Sequence, residues 1–206
     1  MHQTKAIYDI LLPAITYRTD ILRSINYRQT EGISYTDLEW CFSPVTQVDT
    51  LYYLSECVYD YLMGREGQTM DPAIYARSIP MRMKCFSAFL HSIKDLKLSP
   101  SKRAFTTEQL AKHAKGIYEY YLIDNPRSDR ALLCAFDTEM KALNGFAYER
   151  CAEFCYRLHI PYHYVARWRE MPSRDIPWYI RIFGKGLDVI GKLHVKMMRT
   201  NPNEEK

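Results

Sequence analysis

Glycine is scarce, at eight in 206 residues. That is too few for a β-rich fold assembled from many tight turns. No apolar run approaches the roughly 18–20 residues of a membrane span, so no membrane association is expected. The phosphate loop GxxxxGK[ST], the HExxH zinc helix and the GxSxG nucleophile elbow are all missing, which removes three common enzyme signatures. The six cysteines (Cys41, Cys57, Cys85, Cys134, Cys151 and Cys155) contain no C-x2-C knuckle and no disulfide-framework spacing. The opening MHQTKAIYDILLPAITYR lacks a basic stretch followed by an uninterrupted apolar one, so a cytoplasmic, reducing location is the expectation.

What is present suits a globular chain: 47% apolar and 25% charged residues. A chain of this length buries roughly 70% of its unfolded surface, enough for a core without staples. One helical domain is expected over 1–199, followed by a frayed polar tail at 200–206. The basic connector 97–105 is the one place where two lobes, 1–96 and 106–199, could divide.

Apolar residues at three- and four-residue steps predict an all-α, irregular bundle of about seven to nine helices. The first spans 4–28, with Pro13 as a kink. A short one covers 35–42, with Thr36 as its N-cap and Ser43-Pro44 closing it. Val48, Leu51, Tyr52, Leu54, Val58 and Leu62 predict a helix over 47–63, capped at its C-terminus by Gly64. Asp71-Pro72 starts a piece that Pro80 ends near Ser78, and 81–96 resumes it. Thr106 starts a helix through Tyr121. A stripe from Leu132 to Leu158 then runs about seven turns, with Asn144-Gly145 as a kink or a division into two helices. Gly184-Lys185-Gly186 separates Arg174–Phe183 from a last helix, Leu187 to Met198.

The segment YERCAEFCYRLHIPYHYVARWR, residues 148–169, concentrates chemistry. Cys151, Cys155, His159 and His163 recur every four residues. Neighbours four apart share a helix face, so pairs of them could ligate zinc. All four cannot from one straight helix, because each step rises about 6 Å while zinc bonds are about 2.0–2.3 Å. Cys151 also falls on the apolar stripe, where a free cysteine acts as a small hydrophobe. No cofactor is expected, zinc on this ladder being the weaker alternative. Asp137-Thr138-Glu139-Met140-Lys141 resembles a metal-nuclease trio only in composition, since adjacent helical residues point in different directions.

Charge is segregated. Residues 72–116 hold nine Lys/Arg against two Asp/Glu, or +7, and residues 157–199 hold nine against three, or +6, on a chain of net +4. The N-terminal 71 residues hold five against ten, or −5. That sign argues against a helix-turn-helix reader at 35–63, because Asp49, Glu56 and Asp60 on the would-be recognition helix repel phosphates.

In the later basic block, Arg157, Arg167, Arg169, Arg174, Arg181, Lys185, Lys192 and Lys196 are interleaved with Tyr162, Tyr164, Trp168, Trp178 and Tyr179. Basic groups release phosphate counterions and aromatic faces stack on unpaired bases. Arg82, Lys84, Lys102 and Arg103 form a second strip. The expectation is a non-enzymatic nucleic-acid-binding protein (RNA or DNA), one of the protein subunits of a nucleoprotein assembly, gripping the phosphate backbone through two basic faces. The alternative is an adaptor that docks a protein partner on its Tyr/Trp/Arg-rich surface.

Overall fold

A computed structural model describes residues 12–32, 35–57, 59–60, 62, 72–157, 160–184, 186–187 and 189. Its architecture is an all-α, irregular bundle with minimal strand content. The α-helices are α1 (Thr19–Ser24), α2 (Asp37–Phe42), α3 (Pro72–Ile93), α4 (Pro100–Glu119), α5 (Ala131–Leu143), α6 (Gly145–Ala152) and α7 (Tyr164–Glu170). A further helical stretch, α8, occupies 178–184. Short 3-10 turns lie at Leu12–Ala14 and Pro44–Gln47, and a π-helical turn, Tyr120–Asp124, extends α4.

The long helices pack because each carries an apolar stripe. Ile79, Phe86, Phe89, Leu90 and Ile93 of α3 meet Leu110, Ala114, Ile117 and Tyr118 of α4 in one buried cluster. That cluster also takes in Leu133, Phe136 and Met140 of α5 and Val165 and Trp168 of α7. Phe86 and Phe136 rings sit 4.9 Å apart. Each such buried side chain contributes on the order of 1.5–3 kcal/mol.

That energy explains why α3 runs straight through Pro80, where a break near Ser78 is expected from sequence. A proline inside a helix costs about 3 kcal/mol. Ile79 and Phe86 on either side of it are each 1% exposed, and their burial holds both halves in line. The start of α4 also differs. Ser99 accepts from the Lys102 amide and Pro100 takes the first helical position, so the expected connector begins the helix six residues ahead of Thr106.

At Asn144-Gly145 the predicted stripe divides into two helices. The Asn144 side chain accepts the Ala147 amide at 3.0 Å and caps α6. The stripe then ends at Ala152, short of Leu158. Beyond it, β1 (Cys155–Tyr156) and β2 (Ile160–His163) form an antiparallel hairpin with Cys155 opposite His163.

Two predicted helices are not continuous among the described residues. Residues 15–18 between the Leu12–Ala14 turn and α1 are non-helical, and α1 is only six residues long. Tyr17 is held elsewhere, donating to the Cys41 carbonyl at 3.0 Å and packing edge-on to Trp40. Residues 48–57 form no helix, and Leu51, Tyr52, Tyr53 and Leu54 are exposed. No described element covers them, and an isolated helix of this length is marginal in water without a face to pack on.

The expected break at Gly184 is absent as well. Gly184 is helical and buried, with the Tyr156 ring where a Cβ would stand. It is there for close approach and not for a turn. Residues 4–11, the Gly64 and Asp71 caps, most of Leu187–Met198 and the tail lie outside the described residues.

Candidate functional site

Sequence position alone does not separate structural from available arginines; the folded geometry does. Arg169 belongs to the core. Its side chain is 12% exposed and its guanidinium bonds Asp137 Oδ1 at 2.7 Å, the Tyr148 carbonyl at 2.9 Å and the Tyr118 hydroxyl at 3.1 Å. Its face also lies 3.5 Å from the Tyr148 ring centroid. Tyr118 donates to Asp137 in turn, and burial with the Asp137 charge keeps that phenol far above its ordinary range. Trp168 is likewise buried, at 5% exposure. Arg169 therefore leaves the contact face expected from sequence, because Asp137 on α5 and the rings on α4 and α6 occupy every side of it.

The earlier basic strip is also engaged internally. Arg82 lies over the Tyr35 and Tyr75 rings at 4.2 and 4.3 Å. Lys102 pairs with Asp49 at 3.1 Å, and Arg103 covers Phe146 at 5.0 Å. Lys84 is exposed on α3. None of these four lines the cavity described next.

Around α7 the geometry differs. A cavity of about 330 Å³ lies between α7 and the segment leading into α8, lined among others by Arg130, Tyr162, Arg167, Trp168, Arg174 and Tyr179. Arg174 is exposed, and its described contact is the Met171 sulfur at 3.8 Å. Arg167 pairs with Glu170 at 3.1 Å, both side chains more than 60% exposed, and such a surface pair is worth at most about 1 kcal/mol. Burial pushes the Tyr162 phenol up, and the charges of Arg174 and Arg167 oppose that rise.

Beside the cavity, α8 presents Trp178, Tyr179, Ile182 and Phe183, all more than half exposed. Arg181 is held by the Ile123 carbonyl at 3.3 Å, and Arg157 by Asp124 at 2.8 Å. Of the expected contact residues, Arg167, Arg174 and Trp168 come together here. Lys185, Lys192, Lys196 and His159 lie outside the described residues. Arg130 was not singled out by sequence because it sits in a locally acidic stretch; only the fold brings it to α7.

The Cys/His ladder takes a different form from a helix face. Cys151 is fully buried in α6, and burial pushes its thiol up to about 12, which suits packing and not nucleophilic chemistry. The hairpin brings Cys155 Sγ to 4.0 Å from His163 Nδ1, while that nitrogen also lies 3.0 Å from the Glu153 carbonyl. No group of three metal-ligating side chains occurs among the described residues. Asp137, Glu139 and Lys141 diverge: Glu139 accepts from Ser87 and lies 3.0 Å from His91, whereas Lys141 lies over Tyr148.

No helix among the described residues is long and apolar enough to cross a membrane. No protein-family model, curated protein or solved structure matches the chain.

Proposed function

We propose that the protein binds single-stranded nucleic acid on the α7–α8 face, as a non-enzymatic subunit of a nucleoprotein assembly. One observation carries the reading: the exposed Tyr179 ring, with exposed Trp178 edge-on to it at 6.0 Å, shares the cavity lining with Arg174 and Arg167, whose side chains are exposed and, for Arg167, held only by a surface pair with Glu170. Rings stack on bases that are unpaired, and a duplex hides its base faces, so this surface favours single strands. Arginine supplies phosphate contacts with little base specificity.

Titration of fluorescently labelled single-stranded and duplex oligonucleotides tests it. Single strands bind more tightly, and Trp178→Ala weakens them by about 1–3 kcal/mol, the worth of one stacked base. Equal affinity for both forms, unchanged in the variant, would refute the stacking surface.

A second reading has its own support. Leu51, Tyr52, Tyr53 and Leu54 form an exposed apolar run, with Tyr52 85% exposed, and such patches mark protein contacts. An adaptor would bind its partner through that run and ignore oligonucleotides.

A further inference from the structure

The cavity between α7 and the start of α8 holds an imbalance of hydrogen-bonding groups. Trp168 lines it, and its indole N–H is buried with no partner among the described residues. Arg130 lines it too. Two carbonyls, those of Pro126 and Pro172, and the Asp175 carboxylate hold the ends of its guanidinium. Its Nε–H is left buried and unpaired. Indole and guanidinium nitrogens donate and cannot accept. A ligand that satisfies them must bring acceptors. Tyr164 lines the cavity as well, and its buried hydroxyl is also unpartnered; a hydroxyl donates as readily as it accepts, so it too can meet an acceptor.

The rest of the lining narrows the class. Leu122 and Ile176 are buried and apolar, and Tyr162 and Tyr179 supply ring faces. Arg174 and Arg167 are exposed at the cavity's rim, and Glu170, the one carboxylate of the lining, is paired with Arg167. An aromatic ring with acceptor edges fits the interior, and an anion fits the rim. The volume, about 330 Å³, is at the small end of ligand sites.

We propose that this cavity holds one nucleoside monophosphate unit, its base inside against Tyr162 and Tyr179 and its phosphate on Arg174 and Arg167. Base acceptors take the Trp168 and Arg130 donors. Guanine suits the donor pair through O6 and N7, whereas adenine sets an amino donor beside its N7. The inference rests on the proposed nucleic-acid face for its phosphate contact, and adds a discrete nucleotide pocket to it. The unit has two sources: a free nucleotide, or the 5′-phosphorylated end of a strand.

Calorimetric titration of the full chain tests the proposal, with GMP, guanosine and inorganic phosphate as probes. GMP binds, and each half alone binds at least tenfold more weakly. Trp168→Phe keeps a ring and removes the donor, and it lowers GMP affinity about tenfold. Arg174→Gln, an exposed change that leaves the fold intact, lowers GMP affinity and leaves guanosine unchanged. Failure of GMP to bind at millimolar concentration overturns the proposal, as does wild-type GMP affinity in both variants.

An oligonucleotide arm separates the sources and the two claims. Preference for a 5′-phosphorylated over a 5′-hydroxyl strand, with GMP competing, identifies the strand end as ligand; equal strand affinities with GMP still bound identify the free nucleotide. Strands that bind while GMP does not sink the pocket and spare the face. GMP binding without strand binding sinks the face and upholds the pocket.

Discussion

Asp137 and Arg169 are each 12% exposed in their side chains and are tied to Tyr118 and Tyr148 as well as to each other. Removing one partner strands a buried charge, which costs about 3–5 kcal/mol, whereas an apolar replacement of both is far milder. Asp137→Ala is therefore expected to lower the urea-unfolding free energy by that amount, and Asp137→Ala with Arg169→Met to recover more than half of it. His113 offers a second test at this scale. Burial beside the Phe42 ring, 5.4 Å away, holds its pKa down at about 4; Lys112 and Arg82 push the same way and Asp37 opposes. Because the folded value is depressed, the unfolded chain takes up the proton first as pH falls. Stability from this group is complete above about pH 6.5 and is lost towards pH 4, on the order of 3 kcal/mol. Denaturation curves of wild type and His113→Phe between pH 7 and pH 4 are expected to diverge by that amount as pH falls; parallel curves would contradict the assignment.

Helix α3 shows what packing overrides. Pro80 is exposed on a helix whose opposite face is buried, and it removes the hydrogen bond to the Ala76 carbonyl. Pro80→Ala restores that bond while loosening the unfolded chain, so a net gain of about 1–2 kcal/mol is expected in urea unfolding. Periodicity made the α3–α5 core legible, since Phe86, Phe89, Leu133, Phe136 and Met140 all sit on the buried stripe. It failed where a stripe has nothing to pack against. Residues 48–57 carry helical spacing as regular as that of α5, yet Leu51 and Leu54 face solvent. Local turn signals were equally two-sided. Pro100 and Gly184 read as breaks; the first is a helix start, and the second a contact with Tyr156 inside a helix.

Across the whole molecule, charge segregation marks a region and does not sort its side chains into structural and exposed ones. Arg167, Arg169 and Arg174 lie within eight positions of one another, and only the fold shows that Asp137 claims the middle one. Arg130 reaches the same cavity from a stretch with no basic excess, a placement that depends on how α5 docks beside α7. Salt dependence measures most directly whether Arg174 and its neighbours meet phosphate. With about four contacts, the logarithm of single-strand affinity falls with the logarithm of salt at a slope near −3, and Arg174→Gln makes it shallower by about 0.7. A slope near zero, or one that Arg174→Gln leaves unchanged, would contradict the account.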